Sequence, residues 1–282
     1  MTEPRPDRTE PAQARASHGA AGRPFRNIAR GHTSSTSAAK PEGGSKSTKA
    51  LKSAKAELRA SMRTAVQRIK PFARARRAQA LAAAVLRSPA LAGVRLVLAY
   101  RALADEIDVD PLVRALVARG VRVAFPHVDS RGELLLVEIV TTDPLAPEHW
   151  TRDRYGIAAP RLDAAGSAAA VRVLAPLDLD AVIVPGRAFD ARGGRLGRGK
   201  GFYDDLLPHL RPDARRATVG ACFREQLVDC VPEEPHDRRL GFVAAEGKLL
   251  RGAPQRSHAV APEIGSADAE APADSADPAA PR

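Results

Sequence analysis

Between Asp180 and Leu207 the chain reads D-A-V-I-V-P-G-R-A-F-D-A-R-G-G-R-L-G-R-G-K-G-F-Y-D-D-L-L. Gly186, Gly193, Gly194, Gly197, Gly199 and Gly201 are interleaved there with Arg187, Arg192, Arg195, Arg198 and Lys200. Glycine lets the backbone take positive φ and come close to a ligand, and successive exposed N–H groups form a nest for anions. Cations in the same loop add charge for phosphate. Gly194, Gly199 and Lys200 fall in register with G-x-x-x-x-G-K, but Gly201 stands where a P-loop needs the Ser or Thr that holds magnesium, so an ordinary P-loop NTPase is rejected. The G-x-G-x-G of Gly197, Gly199 and Gly201 is not the dinucleotide fingerprint either. Asp204 and Asp205 follow within one helical turn and offer carboxylates for a metal from the far side. The competing reading is a surface loop leading into a helix whose first turn is stabilised by Asp through the macrodipole.

The string P-G-R-A-F-D-x-x-G-G-R-L-G-R-G-K-G-F-Y-D closely resembles the signature of 5-formyltetrahydrofolate cyclo-ligases, and the similarity extends more weakly from about Lys55 to Gly247. The resemblance implies an ATP- and Mg²⁺-dependent enzyme that converts 5-formyltetrahydrofolate to 5,10-methenyltetrahydrofolate through a phosphorylated formyl intermediate, releasing ADP and phosphate. It implies an ATP site formed by Lys55, Arg59, Arg195, Leu196, Gly197, Arg198, Gly199, Lys200, Gly201, Phe202 and Tyr203. Within that set Arg198, Lys200 and Tyr203 are the catalytic candidates. Folate would be met by Arg101 and Glu106 together with Arg198, Gly199, Lys200, Gly201 and Phe202, and magnesium by Asp204 and Asp237. Lys55 and Arg59 match K-x-x-L-R on a first helix that reaches phosphate. Glu106 lies in Asp105-Glu106-Ile107, where a carboxylate can accept two hydrogen bonds from an aminopyrimidine edge. Two departures stand out: Arg101 occupies a position that is often apolar, and Ala159 replaces the glutamate of a G-I-x-E-P segment.

The elements that must position these residues follow from the apolar pattern. Leu58, Met62, Ala65, Val66 and Ile69 have helical spacing within Lys52 to Ile69, and Pro71 starts a second helix that Ser88-Pro89 ends. Val94 to Tyr100 reads as a strand buried on both faces, followed by a loop from Arg101 to Val109, a helix from Pro111 to Arg119 and a strand from Val121 to Phe125 closed by Pro126. This is the βαβ unit of an open sheet, whose ligands bind beyond the carboxyl ends of the strands. Asp108 suits a cap for the helix near Pro111. Leu134 to Val140 is expected to be antiparallel or at an edge, 141–170 to be loop-rich, and Ala181 to Val184, Arg216 to Cys222 and Leu240 to Ala244 to be strands. Trp150 would either flank a pteridine or pack under its loop. The fold class is a single α/β domain with an open, mostly parallel, Rossmann-like sheet and flanking helices.

Residues 1–47 are expected to be a disordered basic leader and 251–282 a disordered Ala/Pro/acidic tail, leaving 48–250 as the domain. The net charge of +11 is partly due to that leader. A basic arm can bind nucleic acid weakly, but aromatic residues for stacking on bases are nearly absent from it. A non-catalytic phosphate-ligand or nucleic-acid binding module is therefore the second reading. No run approaches the length of a membrane span and no apolar signal region is present, which points to the cytoplasm, with a monomer as the working unit. Cys222 and Cys230 are expected to be reduced thiols, one of them buried.

Overall fold

The structure is a computed structural model, and it describes residues 44–162 and 170–253. The proposed leader lies almost wholly outside the described residues, and the proposed tail does so from residue 254 onward. In chain order the elements are α1 (Gly44–Gln67), α2 (Pro71–Leu86), β1 (Leu96–Leu98), α3 (Asp110–Val117), β2 (Arg122–Val128), β3 (Leu134–Val140), β4 (Trp150–Arg152), β5 (Ala158–Pro160), β6 (Ala170–Leu174), β7 (Ala181–Val184), β8 (Ala188–Asp190), β9 (Arg195–Leu196), α4 (Phe202–Leu206), α5 (Pro212–Arg216), β10 (Thr218–Cys222), β11 (Leu227–Val228), β12 (Phe242–Ala245) and β13 (Lys248–Arg251).

Eight strands form the main sheet in the order β13-β12-β10-β7-β1-β2-β3-β6. The pairings from β12 through β10, β7 and β1 to β2 are parallel, and antiparallel partners lie outside them on both flanks. Alternation within the strands sends side chains to two cores. Val97, Val123, Phe125, Ile183 and Val219 pack with Val66, Leu81, Val85 and Leu112 of α1, α2 and α3. Leu96, Leu98, Val182 and Val184 pack with Leu206 of α4 and Ala214 of α5 on the other face. Burial on both faces is why these strands read as near-continuous apolar runs. Each fully buried Leu or Val contributes about 1.5–3 kcal/mol of transfer free energy.

Pro126 does not close β2, which continues to Val128. The pairing with β1 ends at Ala124, while β3 continues to pair through Pro126 opposite Leu136. A proline is tolerated because one side of the strand is already open there. β3 is antiparallel as expected but interior, since β6 covers it. Neither β6 nor β13 is evident from the pattern: β6 alternates weakly and its first residues are exposed, and β13 is a short Lys-Leu-Leu-Arg segment at the outer edge. The cap position of α3 falls on Val109 and has no side-chain cap; Asp108, one residue earlier, accepts the Asp110 N–H at Oδ1, 2.9 Å away. Cys222 is buried, Cys230 is exposed, and both are free thiols. Among the described residues no helix is long and apolar enough to cross a membrane.

Candidate active site

From the centre of the sheet the chain runs in opposite directions: β1 leads to β2 on one side, while its other neighbour is β7. The segments leaving the carboxyl ends of these two parallel strands therefore meet at a topological switch point, where open α/β sheets bind ligands. One is the 101–109 loop with its acids. The other is the glycine-rich segment after Val184.

That segment is a built structure. β8 and β9 pair antiparallel within it, and β11 joins on the other side of β8. Asp190, fully buried, accepts hydrogen bonds at Oδ1 from the N–H groups of Arg192 and Gly194 and at Oδ2 from the N–H of Val231, all at 2.9 Å. Burial disfavours its charge, but these donors and the Arg192 guanidinium outweigh it and hold the carboxyl below its ordinary pKa. A Cβ on Gly194 would lie 2.6 Å from Asp190 Oδ2, so the turn has room for glycine alone. Ala188 and Leu196 form a small core with Val231, and Leu58 and Met62 of α1 pack against it. The apolar stripe of α1 thus seats the helix on the loop and brings Lys55 and Arg59 to it. Gly201, at φ +79°, makes the left-handed step into α4, and its carbonyl accepts the Asp205 N–H.

The charges of the loop are matched by acids from the 101–109 loop and α4, and Lys55 of α1 by acids of the 234–237 segment. Arg198 donates from Nε to Glu106 Oε1 (3.0 Å) and from Nη2 to Asp105 Oδ1. Asp105 Oδ2 pairs with the buried Arg187. Glu106 Oε2 accepts the Leu103 N–H at 3.0 Å. Burial raises the Glu106 pKa above the usual carboxylate value despite the opposing effect of Leu103 and Arg198. Burial, then the like charge of Arg198, pulls Arg187 below the ordinary guanidinium value. Arg195 Nη2 donates to Asp204 Oδ1 at 2.7 Å. Arg59 Nε donates to the Gly197 carbonyl at 2.9 Å, and its guanidinium lies beside Gly199. Lys55 Nζ sits between Glu234 Oε2 (2.8 Å) and Asp237 Oδ2 (2.7 Å). Burial works against its charge, but the hydrogen bonds to Asp237 and Glu234 leave the ammonium pKa raised.

Aromatic rings close the same end. Lys200 Nζ lies 4.6 Å from the centre of the Tyr155 ring, which is 6.2 Å from Phe202. The Arg195 guanidinium lies 5.6 Å from the Tyr203 ring centre. Among the described residues the Tyr203 hydroxyl and Arg195 Nε are buried without a hydrogen-bond partner, so each is a donor left open there. Burial, then the charge of Glu106, pushes the Tyr203 pKa up, keeping the phenol protonated.

The family model for 5-formyltetrahydrofolate cyclo-ligases matches residues 51–246. The chain belongs to the 5-formyltetrahydrofolate cyclo-ligase family. A probable 5-formyltetrahydrofolate cyclo-ligase of Caenorhabditis elegans is 26% identical over 204 residues, covering 71% of this chain and 97% of the relative. The 5-formyltetrahydrofolate cyclo-ligase of Escherichia coli K12 is 35% identical over 147 residues, 51% of this chain and 74% of its own length. The NMR structure of the Aquifex aeolicus 5,10-methenyltetrahydrofolate synthetase superposes with a TM-score of 0.57 at 24% identity, covering 73% of this chain and 98% of that one. That last likeness concerns the fold. Membership makes this chain part of a ligase family of folate one-carbon metabolism.

Within this cyclo-ligase domain the candidate residues come together in four groups: Arg198 with Glu106, Arg195 with Asp204, Arg59 with the Gly197–Gly199 turn, and Lys55 with Asp237. Arg101 instead pairs with Asp110 at 2.9 Å and lies 4.7 Å from the Trp150 ring. Trp150 packs edge-on against Phe125 and donates from Nε1 to the Pro144 carbonyl, so it is tied into its loop. Ala159 is buried in β5. Asp204 and Asp237 have separate cation partners. Among the described residues, Glu234, His236 and Asp237 form a group whose ligand atoms all lie within 4.8 Å of one another. The candidates singled out from sequence omit Arg187, Asp190 and Glu234. Arg187 and Asp190 lie inside the signature itself, and Glu234 lies three positions before Asp237; their roles depend on folding partners distant in the chain.

Proposed function

We propose that this chain carries out the ATP- and Mg²⁺-dependent ring closure of 5-formyltetrahydrofolate to 5,10-methenyltetrahydrofolate, releasing ADP and phosphate. The observation that carries the reading is the Arg198 guanidinium, which belongs to the phosphate-type loop and rests on Glu106 and Asp105 of the neighbouring loop. Phosphate-binding and pteridine-binding chemistry are thereby joined at one point.

The formyl oxygen would attack the γ-phosphorus of ATP, breaking the bond to the bridging oxygen and giving ADP and an iminium phosphate. N10 then attacks the former formyl carbon and gives up its proton to water or to the departing phosphate, phosphate leaves with its oxygen, and the five-membered ring closes. Such a reaction asks for positioning and charge neutralisation more than for a covalent nucleophile. Arg59, Arg195, Arg198, Lys200 and Lys55 are the cations for phosphate. The protonated Tyr203 hydroxyl is a donor for a phosphoryl or formyl oxygen, and Glu106 accepts from the pteridine N–H edge. Phe202 and Tyr155 provide apolar ring faces at the junction.

Magnesium prefers hard oxygen donors and keeps several waters. Asp237, with Glu234 and His236 ligand atoms within 4.8 Å of it, supplies such a donor and fits, while Asp204 offers a further carboxylate held apart on Arg195. Each carboxylate is now balanced by a cation, Arg195 or Lys55, that a triphosphate can engage instead. When bound, the metal supplies further neutralisation of phosphate charge. The reading extends to a cytoplasmic enzyme that works as a monomer.

The test is a mixture of purified full-length protein, 5-formyltetrahydrofolate and Mg-ATP, followed by the growth of the methenyl-folate absorbance. Product must appear with stoichiometric ADP and only when both substrates are present. ATP hydrolysis without methenyl product, or neither, refutes the reading.

A further inference from the structure

Gln226 ends the single 3-10 turn after β10, Arg224–Gln226, and is 1% exposed. Its Oε1 accepts the N–H of Phe223 at 3.0 Å, which fixes the orientation of the amide. Nε2 then faces three main-chain carbonyls: Asp105 at 3.4 Å, Gly186 at 3.2 Å and Arg187 at 3.1 Å. Two hydrogens are shared among the three acceptors.

Topology gives this contact its meaning. β10, β7 and β1 are consecutive in the parallel part of the sheet. Gln226 leaves the end of β10, Gly186 and Arg187 leave β7, and Asp105 belongs to the loop that leaves β1. One buried amide therefore ties together three neighbouring strand ends. One of them bears Asp105 and Glu106, and another opens the glycine loop. The Arg187 side chain returns across the same gap to Asp105.

We propose that Gln226 is a positioning residue that sets the spacing between the folate-side acids and the phosphate loop. The proposal rests on the function read above, and Gln226 acts through the two loops it holds. Its removal would leave three buried carbonyls short of a donor and let the loops separate. Met is nearly isosteric and lacks the donor. Glu would place a carboxylate oxygen against the carbonyls.

Steady-state kinetics of Gln226→Met and Gln226→Glu test this. Both variants should raise the KM for folate and for ATP by about tenfold or more, with kcat at double saturation within about threefold of the wild type, because binding energy is spent on closing the gap. A residue that merely fills the core would lower the melting temperature and leave both KM values in place; that outcome in a folded variant overturns the proposal. Should neither variant fold, hydrogen exchange on the wild-type chain decides. A non-hydrolysable ATP analogue alone should protect the amides of 103–107 together with those of 186–189, and protection confined to the glycine loop overturns the proposal. An inactive wild type defeats the assigned reaction, while the exchange experiment still tests whether the strand ends move as one.

Discussion

Replacing Lys55 with Met probes the phosphate end where its charges are most concentrated. The Lys55 side chain is 9% exposed and its ammonium lies 2.8 and 2.7 Å from the Glu234 and Asp237 carboxylates. Removing one partner of an interior ion pair costs about 3–5 kcal/mol, chiefly through the charge left behind. Here the carboxylates are 26% and 16% exposed, so water and counterions recover part of that. A loss of about 2 kcal/mol in metal-free buffer is expected after that screening. For a domain of this size it corresponds to a fall of roughly 4–8 °C in melting temperature. The vacated position lies between two hard oxygen donors, so Mg²⁺ should restore stability in the variant: at ten times its Kd the gain is about 1.4 kcal/mol. The wild type, whose ammonium already occupies that position, should gain less. Thermal unfolding of both proteins in chelator and over a Mg²⁺ titration checks this. A variant that melts with the wild type in chelator, or one that Mg²⁺ stabilises no more than the wild type, refutes the reasoning.

Lys200→Ala and Arg59→Ala should each raise the KM for ATP by about tenfold, while Glu106→Gln raises the KM for folate, as measured by initial rates with the other substrate saturating. Because the folded Glu106 pKa is raised, this carboxyl should take up its proton as pH falls sooner than an exposed one, so the folate KM should climb at a pH above the ordinary glutamate range. The same shift means that the folded chain holds the proton more tightly than the unfolded chain, so this group's contribution to stability declines as pH rises from the unfolded pKa through the folded one. Urea unfolding of wild type and Glu106→Gln across mildly acidic pH reads that slope. Asp204→Asn should increase the Mg²⁺ needed for half-maximal rate, whereas the neighbouring Asp205→Asn, about 100° round the helix, should not.

The signature segment made the active loop legible because its glycines and cations have few other uses at that density. β1, β7 and β10 were legible because both-face burial leaves unbroken apolar runs. What sequence could not supply was pairing. Asp190 reads as one acid in a loop until its four-residue turn closes on it, and Glu234 gains a role only when α1 brings Lys55 back to it across the chain. β6 escaped notice because an edge strand with exposed residues carries no strong alternation. Pro126 misled because a local rule about strand ends was overridden by tertiary context: the neighbouring strand had already stopped.

Arg198 has a single guanidinium, held by both acids of the neighbouring loop. If phosphate draws it away, Glu106 is left with an oxygen unoccupied just as a pteridine needs an acceptor. The nucleotide and the folate would then be thermodynamically linked without touching: whatever factor the first gains for the second, the second must return to the first. In kinetic terms the chain would favour an order of addition, nucleotide before folate, and its apparent folate affinity would be a function of the ATP level around it.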